Sequence, residues 1–397
     1  MSGKVRIYSL LLIVLLLTGF FGLRVFSPKG PIARHPNPAN FDTTLNVIPT
    51  YDPHSSDLWQ VDLRSTDLTQ LNLSTSGEVL SHASFDNRTK WPEKMPPDFD
   101  WRQILDVGKN PGLRLRALHA QGITGKGVGL AIIDQTLLVD HQEYVSQLKL
   151  YEETWEVPWF DAMSIHGAAV ASIAVGRTVG VAPGADLYYF ANESCYGKQT
   201  DFACLAKIVR RIMEVNKTLP QEQRIKVISM SIGWMPGDQG YDEIKSAVED
   251  AKADGIFVVH TVLDDTYGFE LFGLGREPLA DPEDPQSYAP ADWWADQFFS
   301  HAVPDSMLLV PMDSRTTASP TGFGDYAFYR QGGASWTVPY LAGMYALAAQ
   351  VDPEITPEEF WAAALETGRM IQVEHDGRAY SFGKILDPQA LIAALQH

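Results

Sequence analysis

Apolar residues are grouped along this chain in three different ways. At the start, Lys4 and Arg6 precede an unbroken run from Ile7 to Leu23, which Arg24 closes. A basic start followed by such a run predicts an export segment, just long enough to cross a bilayer as a helix. Val25 and Ser27 are the best-placed residues for cleavage, but Pro28 follows them. Residues 1–27 are therefore read as a signal anchor in preference to a removable signal peptide. From Pro28 to Tyr51 the chain is rich in Pro, Asn and Thr and has little periodicity, as a linker does. Leu63, Leu68 and Leu73 then recur every five residues, too few turns for a solenoid. Residues 28–99 are read as this linker and a small strand-rich leader against the main domain, with a propeptide role left open.

From Asp100 the pattern changes again. Compact apolar runs of strand length stand at Gly129–Asp134, Asp186–Phe190, Val227–Ser231, Ile256–His260 and Met307–Pro311. Between and after them, His166–Gly176, Asp201–Lys217, Tyr241–Ala253, Ser335–Gln350 and Pro357–Gly368 carry helical spacing. Continuous apolar strands alternating with helices predict an α/β domain over 100–397, a parallel sheet with helices on both faces. Such sheets bind ligands at the carboxyl ends of their strands. Residues 266–301, aromatic and without clear periodicity, read as a long loop that either packs on the surface or walls a cleft.

Composition narrows the function only a little. The net charge of -18 argues against nucleic acid as a partner, since phosphate binding needs Lys/Arg-rich surface. Cys195 and Cys204 stand close enough for a disulfide outside the cytoplasm, with two buried thiols as the alternative. Asp281, Glu283 and Asp284 can gather calcium, but without the spacing of a calcium loop they read as acidic turns, so no metal or other cofactor is expected.

Three segments carry candidate chemistry. Asp134 ends an apolar strand, where a carboxylate emerges at the sheet's carboxyl edge. His166 begins a helical segment, with Gly167 beside it and GVAPGA following from Gly180. Ser335 opens another helical segment, in GGASWTVP, with Gly333 before it and Pro339 after it. Singly, these are ordinary turn and cap residues.

Together they resemble the subtilase family: a strand-ending Asp, an HG-x-x-VA helix with GVAP downstream, and a G-x-S-x-x-x-P helix, in the chain order Asp, His, Ser. The resemblance runs from about Leu113 to Leu395 and implies a subtilisin-like fold. It also implies a triad of Asp134, His166 and Ser335 that cleaves peptides through an acyl-enzyme. The segment Ser231, Ile232 and Gly233 resembles the strand that pairs with an extended substrate. The partners implied are a peptide or protein substrate and, through the N-terminal segment, a membrane, with the enzyme facing outside the cytoplasm.

The sequence departs from the family at Gln135-Thr136 after the aspartate and at Trp336 after the serine. A third departure bears on activity: an ungapped count from Gly255 places Asp264 where the family has its oxyanion asparagine, while a gapped one places His260, Thr261 or no residue there. A carboxylate there repels the developing oxyanion unless protonated. The alternative function is therefore a subtilase-like pseudoenzyme that binds peptides without cutting them. An α/β-hydrolase esterase fits badly, because it carries G-x-S-x-G and places its histidine last.

Overall fold

The computed structural model describes Ile32 and residues 38–55, 57–154, 164–192, 195, 200–300 and 306–396. The N-terminal apolar run lies outside the described residues; among those described, no helix is long and apolar enough to cross a membrane.

The leader forms short strands, β1 (Thr43–Thr44), β2 (Val61–Asp62), β3 (Thr66–Asp67) and β4 (Ala83–Asp86), with helix α1 (Gly77–Ser81) before β4. Leu63, Leu68 and Leu73 are all buried, in one cluster with Leu80, Phe85, Ile104 and Phe328. The five-residue recurrence is thus one inward-facing column. Backbone bonds fix its steps: Leu63 N–H donates to Ser84 O, Leu68 N–H to Lys90 O and Leu73 N–H to Lys94 O. Phe85 and Phe328 touch within this cluster at 5.2 Å between ring centroids, so leader and main domain share a core.

Helices α2 (Trp101–Gly108) and α3 (Leu115–Ala120) lead into the main domain. Its centre is a five-stranded sheet of β5 (Gly129–Asp134), β6 (Leu148–Glu153), β7 (Asp186–Ala191), β8 (Ile225–Met230) and β9 (Phe257–Val259). The order is β6-β7-β5-β8-β9, and every pairing is parallel. Helices α4 (Ile165–Val175), α5 (Phe202–Thr218) and α6 (Tyr241–Ala253) connect these strands. The alternation of side chains along β5 shows why both faces are covered. Leu130 and Ile132 point into the core that holds α4, while Ala131 and Ile133 point into the one that holds α5 and α6. The fold is therefore the expected α/β arrangement.

Beyond β9 the chain differs from expectation. After α7 (Leu263–Tyr267) come β10 (Glu270–Arg276), β11 (Tyr288–Pro290) and α8 (Asp292–Ser300), where a long loop was expected. The strand is masked in the sequence because Gly273 and Gly275 interrupt its apolar pattern. A Cβ at Gly273 would stand 2.2 Å from Met312 Sδ, and one at Gly275 3.0 Å from Ala291 Cα, so close packing explains both glycines. The run Met307–Pro311 is strand β12, but it does not join the central sheet. It lies in a second, mixed sheet of order β11-β10-β12-β16-β15, with β15 (Arg369–His375) and β16 (Arg378–Ile385). Asp281 and Asp284 accept backbone N–H bonds in local turns, and Glu283 accepts from Asn110, which accounts for the acidic cluster.

Strands β13 (Arg315–Ala318) and β14 (Tyr326–Tyr329) form a third sheet, in which the order β13-β14-β4-β2 brings in the leader. The chain continues through α9 (Ala334–Val351), α10 (Pro357–Thr367) and α11 (Pro388–Ala394). Cys195 and Cys204 are joined as a disulfide.

Candidate active site

Asp134 is the last residue of β5 and is almost wholly buried, with its side chain 4% exposed. Its Oδ1 accepts two hydrogen bonds, from Gln135 N–H at 2.8 Å and from His166 Nδ1 at 2.8 Å. His166 is the second residue of α4, whose N-cap Ser164 accepts the His166 backbone N–H at 3.0 Å. Gly167 lets this helix end reach the strand end. A Cβ there would meet Thr136 O at 2.6 Å and Gln135 O at 2.9 Å. The GVAP motif anchors the far end of α4, with Val181 N–H donating to Ile173 O and Ala182 N–H to Ala174 O.

Burial of the imidazole works against its protonation, but the Asp134 charge and hydrogen bond outweigh it, so the His166 pKa lies above 6.5. The ring still reaches solvent on one side, with 30% of the side chain exposed.

Ser335 is the second residue of α9, where the helix itself gives the backbone N–H no partner. Gly333 enters the helix at φ 74°, a conformation that only glycine adopts readily. Four residues after Ser335, Pro339 lacks the N–H that would bond the Ser335 carbonyl. Ser231 fills the gap: its hydroxyl donates to Ser335 O at 3.0 Å. The Ser335 hydroxyl in turn donates to Ser231 O over a long 3.4 Å.

His166 and Ser335 line one cavity of about 690 Å³, together with Gln135, Ser164, Trp336 and the glycines before the serine. Among the described residues no hydrogen bond joins Ser335 Oγ to His166. Strand end, helix start and helix start thus converge on one open space at the carboxyl edge of the parallel sheet.

Residues 125–294 match the subtilase family. Asp134 and His166 lie within that segment; Ser335 lies beyond it, and its place beside them rests on the geometry above. Two solved structures are similar to this chain. The Prenylagaramide maturation protease PagA is 16% identical with a TM-score of 0.49, over 71% of this chain and 98% of its own. The PatG macrocyclase domain is 13% identical with a TM-score of 0.48, over 71% of this chain and 94% of its own.

Around Asp134, His166 and Ser335, the departures noted in the sequence take definite places. Gln135 accepts a hydrogen bond from the Ser164 hydroxyl, which ties the strand end to the cap of the histidine helix. Trp336 packs edge-on to His166, with ring centroids 5.5 Å apart, and against Tyr329 at 5.1 Å. Asp264 is an exposed residue of α7 and does not line the cavity of His166 and Ser335. It borders a second cavity of about 220 Å³ with Thr261, Thr337 and Ala334, the neighbour of the serine. Ser231 adjoins Ser335 directly, and Ile232 O accepts from Thr261 N–H at 3.2 Å. A Cβ at Gly233 would stand 2.6 Å from Thr261 Oγ1, so this segment lies tightly against the chain leaving β9.

Two sets of residues at the site carry no signal in the sequence. Asp313, fully buried, accepts the Gly332 N–H at 2.8 Å and so holds the backbone just ahead of Ser335. Phe41, Leu58, Trp59 and Arg64 of the leader line the same cavity as His166 and Ser335. The pairing of β4 with β14 and contacts such as Trp59 with Gln331 and Arg64 with Tyr329 bring them there, and nothing local in the sequence announces these long-range contacts.

Proposed function

We propose that this chain is a serine endopeptidase that acts outside the cytoplasm through Asp134, His166 and Ser335. The observation that carries the reading is the Asp134–His166 hydrogen bond of 2.8 Å on the wall of the cavity that Ser335 also lines. Asp134 holds the His166 tautomer that keeps Nδ1–H, which leaves Nε2 free to take a proton. Ser335 Oγ attacks the scissile carbonyl carbon as His166 removes its proton. His166 then delivers that proton to the leaving amine, and the peptide's acyl half remains esterified to Ser335. A water, activated in the same way, releases the acid and regenerates the serine. The N–H of Ser335, without a partner among the described residues, supports the oxyanion, and an extended peptide pairs alongside Ser231, Ile232 and Gly233.

An extracytoplasmic site is supported by the basic and apolar N-terminus and by the Cys195–Cys204 bridge, which persists in oxidising compartments. The apolar segment is the proposed link to a membrane. The second reading, a peptide-binding relative without activity, is favoured by one observation. Asp264, which stands where the family's oxyanion asparagine is expected, does not line the triad's cavity. Hydrolysis of a quenched casein substrate by the purified full chain tests the choice. Turnover that Ser335→Ala abolishes supports the peptidase; equal rates in the two proteins refute it, and tight peptide binding without turnover favours the second reading.

A further inference from the structure

Resting on the peptidase reading, we propose that the leader supplies part of the substrate site. In this proposal Phe41, Leu58 and Trp59 form a subsite that takes an apolar side chain of the peptide beside the bond Ser335 attacks.

Leu63, Leu68 and Phe85 of the leader are 0% exposed, whereas these three stay open at 36%, 38% and 43%. All three face the cavity that holds His166 and Ser335. An aromatic residue left in water beside a nucleophile forgoes the gain of burial, unless a ligand completes it.

Trp59 is also held there against its own backbone preference. Its φ is 56°, in the left-handed region that side chains bearing a Cβ disfavour. Two hydrogen bonds to one residue fix it: Trp59 N–H donates to Gln331 Oε1 at 3.1 Å and the indole N–H to Gln331 O at 2.8 Å. Gln331 stands just before the Gly332-Gly333 pair that leads into the serine helix. The indole edge comes within 3.8 Å of where a Cβ at Gly333 would be. The ring is therefore positioned relative to Ser335 through a short, hydrogen-bonded path.

The charge on this wall argues for an apolar occupant over an acidic one. Arg64 lines the cavity, but its guanidinium is taken by Asp62 at 2.8 and 2.6 Å and by the Tyr329 hydroxyl at 2.8 Å. Among the described residues that line the cavity, His166 is the other side chain able to carry a positive charge, and it is held by Asp134. Beside Gln135, Ser164 and His166, the rings of Trp336 and Tyr329 and the side chain of Ile165 also line the cavity, and the volume of about 690 Å³ accommodates a large side chain with flanking backbone.

The test digests a proteome-derived peptide library with the full chain and sequences the products. It compares wild type, Trp59→Ala and Leu58→Ser, each also treated with a small fluorophosphonate probe. The expected result is enrichment of Leu, Met, Phe or Tyr at one position next to the cleaved bond. Trp59→Ala then lowers kcat/KM for peptides carrying that residue by on the order of tenfold, and changes a matched alanine peptide less than about twofold. Probe reactivity, which does not need the subsite, stays unchanged. An unaltered cleavage profile in both variants overturns the proposal. So does a uniform rise across all peptides, which would make the leader an obstruction. If Trp59→Ala melts differently from wild type, Leu58→Ser and Phe41→Ala carry the same comparison. A wild type that never reacts with the probe refutes the peptidase reading itself, whereas a reactive enzyme without the apolar preference refutes only the subsite.

Discussion

Asp134 and His166 meet through a single 2.8 Å hydrogen bond, with the carboxylate buried at the end of β5 and the imidazole opening to the cavity. Since the His166 pKa is held above 6.5, the neutral base needed for attack accumulates only as pH rises past that raised value. The limb of kcat/KM against pH is expected to rise with an inflection above 6.5. The ion pair's contribution to stability runs the other way. It is fully present below 6.5 and is lost as pH rises through the folded-state value. Asp134→Asn is expected to lower kcat by about 10⁴-fold, as loss of the orienting carboxylate does in such triads. Steady-state rates of the two proteins from pH 5 to 9 check the limb and the loss in Asp134→Asn; a flat wild-type profile would refute the first and equal rates the second.

Ser231 replaces the backbone donor that Pro339 withholds from Ser335. Ser231→Ala leaves that carbonyl without this donor and is expected to cost about 1–3 kcal/mol of stability. Urea denaturation of the two proteins measures the difference. A change within error would mean that the hydroxyl is dispensable to the helix start.

Asp313 is fully buried, and burial pushes its carboxyl up to about 7 against the opposing pull of the Gly332 N–H bond. The folded protein thus keeps a proton between 3.8 and about 7 that the unfolded chain releases, so stability falls as pH rises through this window. A shift of about three units corresponds to at most roughly 4 kcal/mol. Asp313→Asn removes the titration while its amide oxygen still accepts from Gly332. The variant is expected to melt a few degrees above wild type at pH 8, with the gap closing by pH 5. Melting curves at the two pH values decide it; a gap that widens towards pH 5 would contradict the assignment.

Phe85 ties the leader to Phe328 of the main domain in one buried cluster, and β4 pairs with β14 in a shared sheet. Phe85→Ala is expected to cost about 3–5 kcal/mol. The loss should appear as one lowered transition in scanning calorimetry, because the two parts share a core. Two separate transitions, with only the smaller one shifted, would show that the leader folds on its own.

The central strands and their helices were legible because both obey simple rules. Gly129–Asp134 and Tyr241–Ala253 are apolar or amphipathic over the length that each element needs. Asp134, His166 and Ser335 stood out through motifs whose spacing reflects packing: Gly167 for approach to the strand end, Gly333 and Pro339 for the helix start. Strand β10 was not legible, because packing demands glycine at two of its positions and so erases its hydrophobic signature. The leader's place at the cleft was hidden for another reason. Trp59 meets Gln331 across 272 residues, and a contact that distant leaves no periodicity to read. Asp264 illustrates the limit of counting along a strand, since α7 begins immediately before it and turns the chain into a different cavity.

The most direct test of the triad is covalent capture of Ser335 by a fluorophosphonate probe, with the modified residue located by peptide mass spectrometry. The expected result is one adduct, on Ser335, that is absent from Ser335→Ala and slowed by about 10⁴-fold in Asp134→Asn. An adduct on another residue, or none in the folded wild-type protein, would contradict the account.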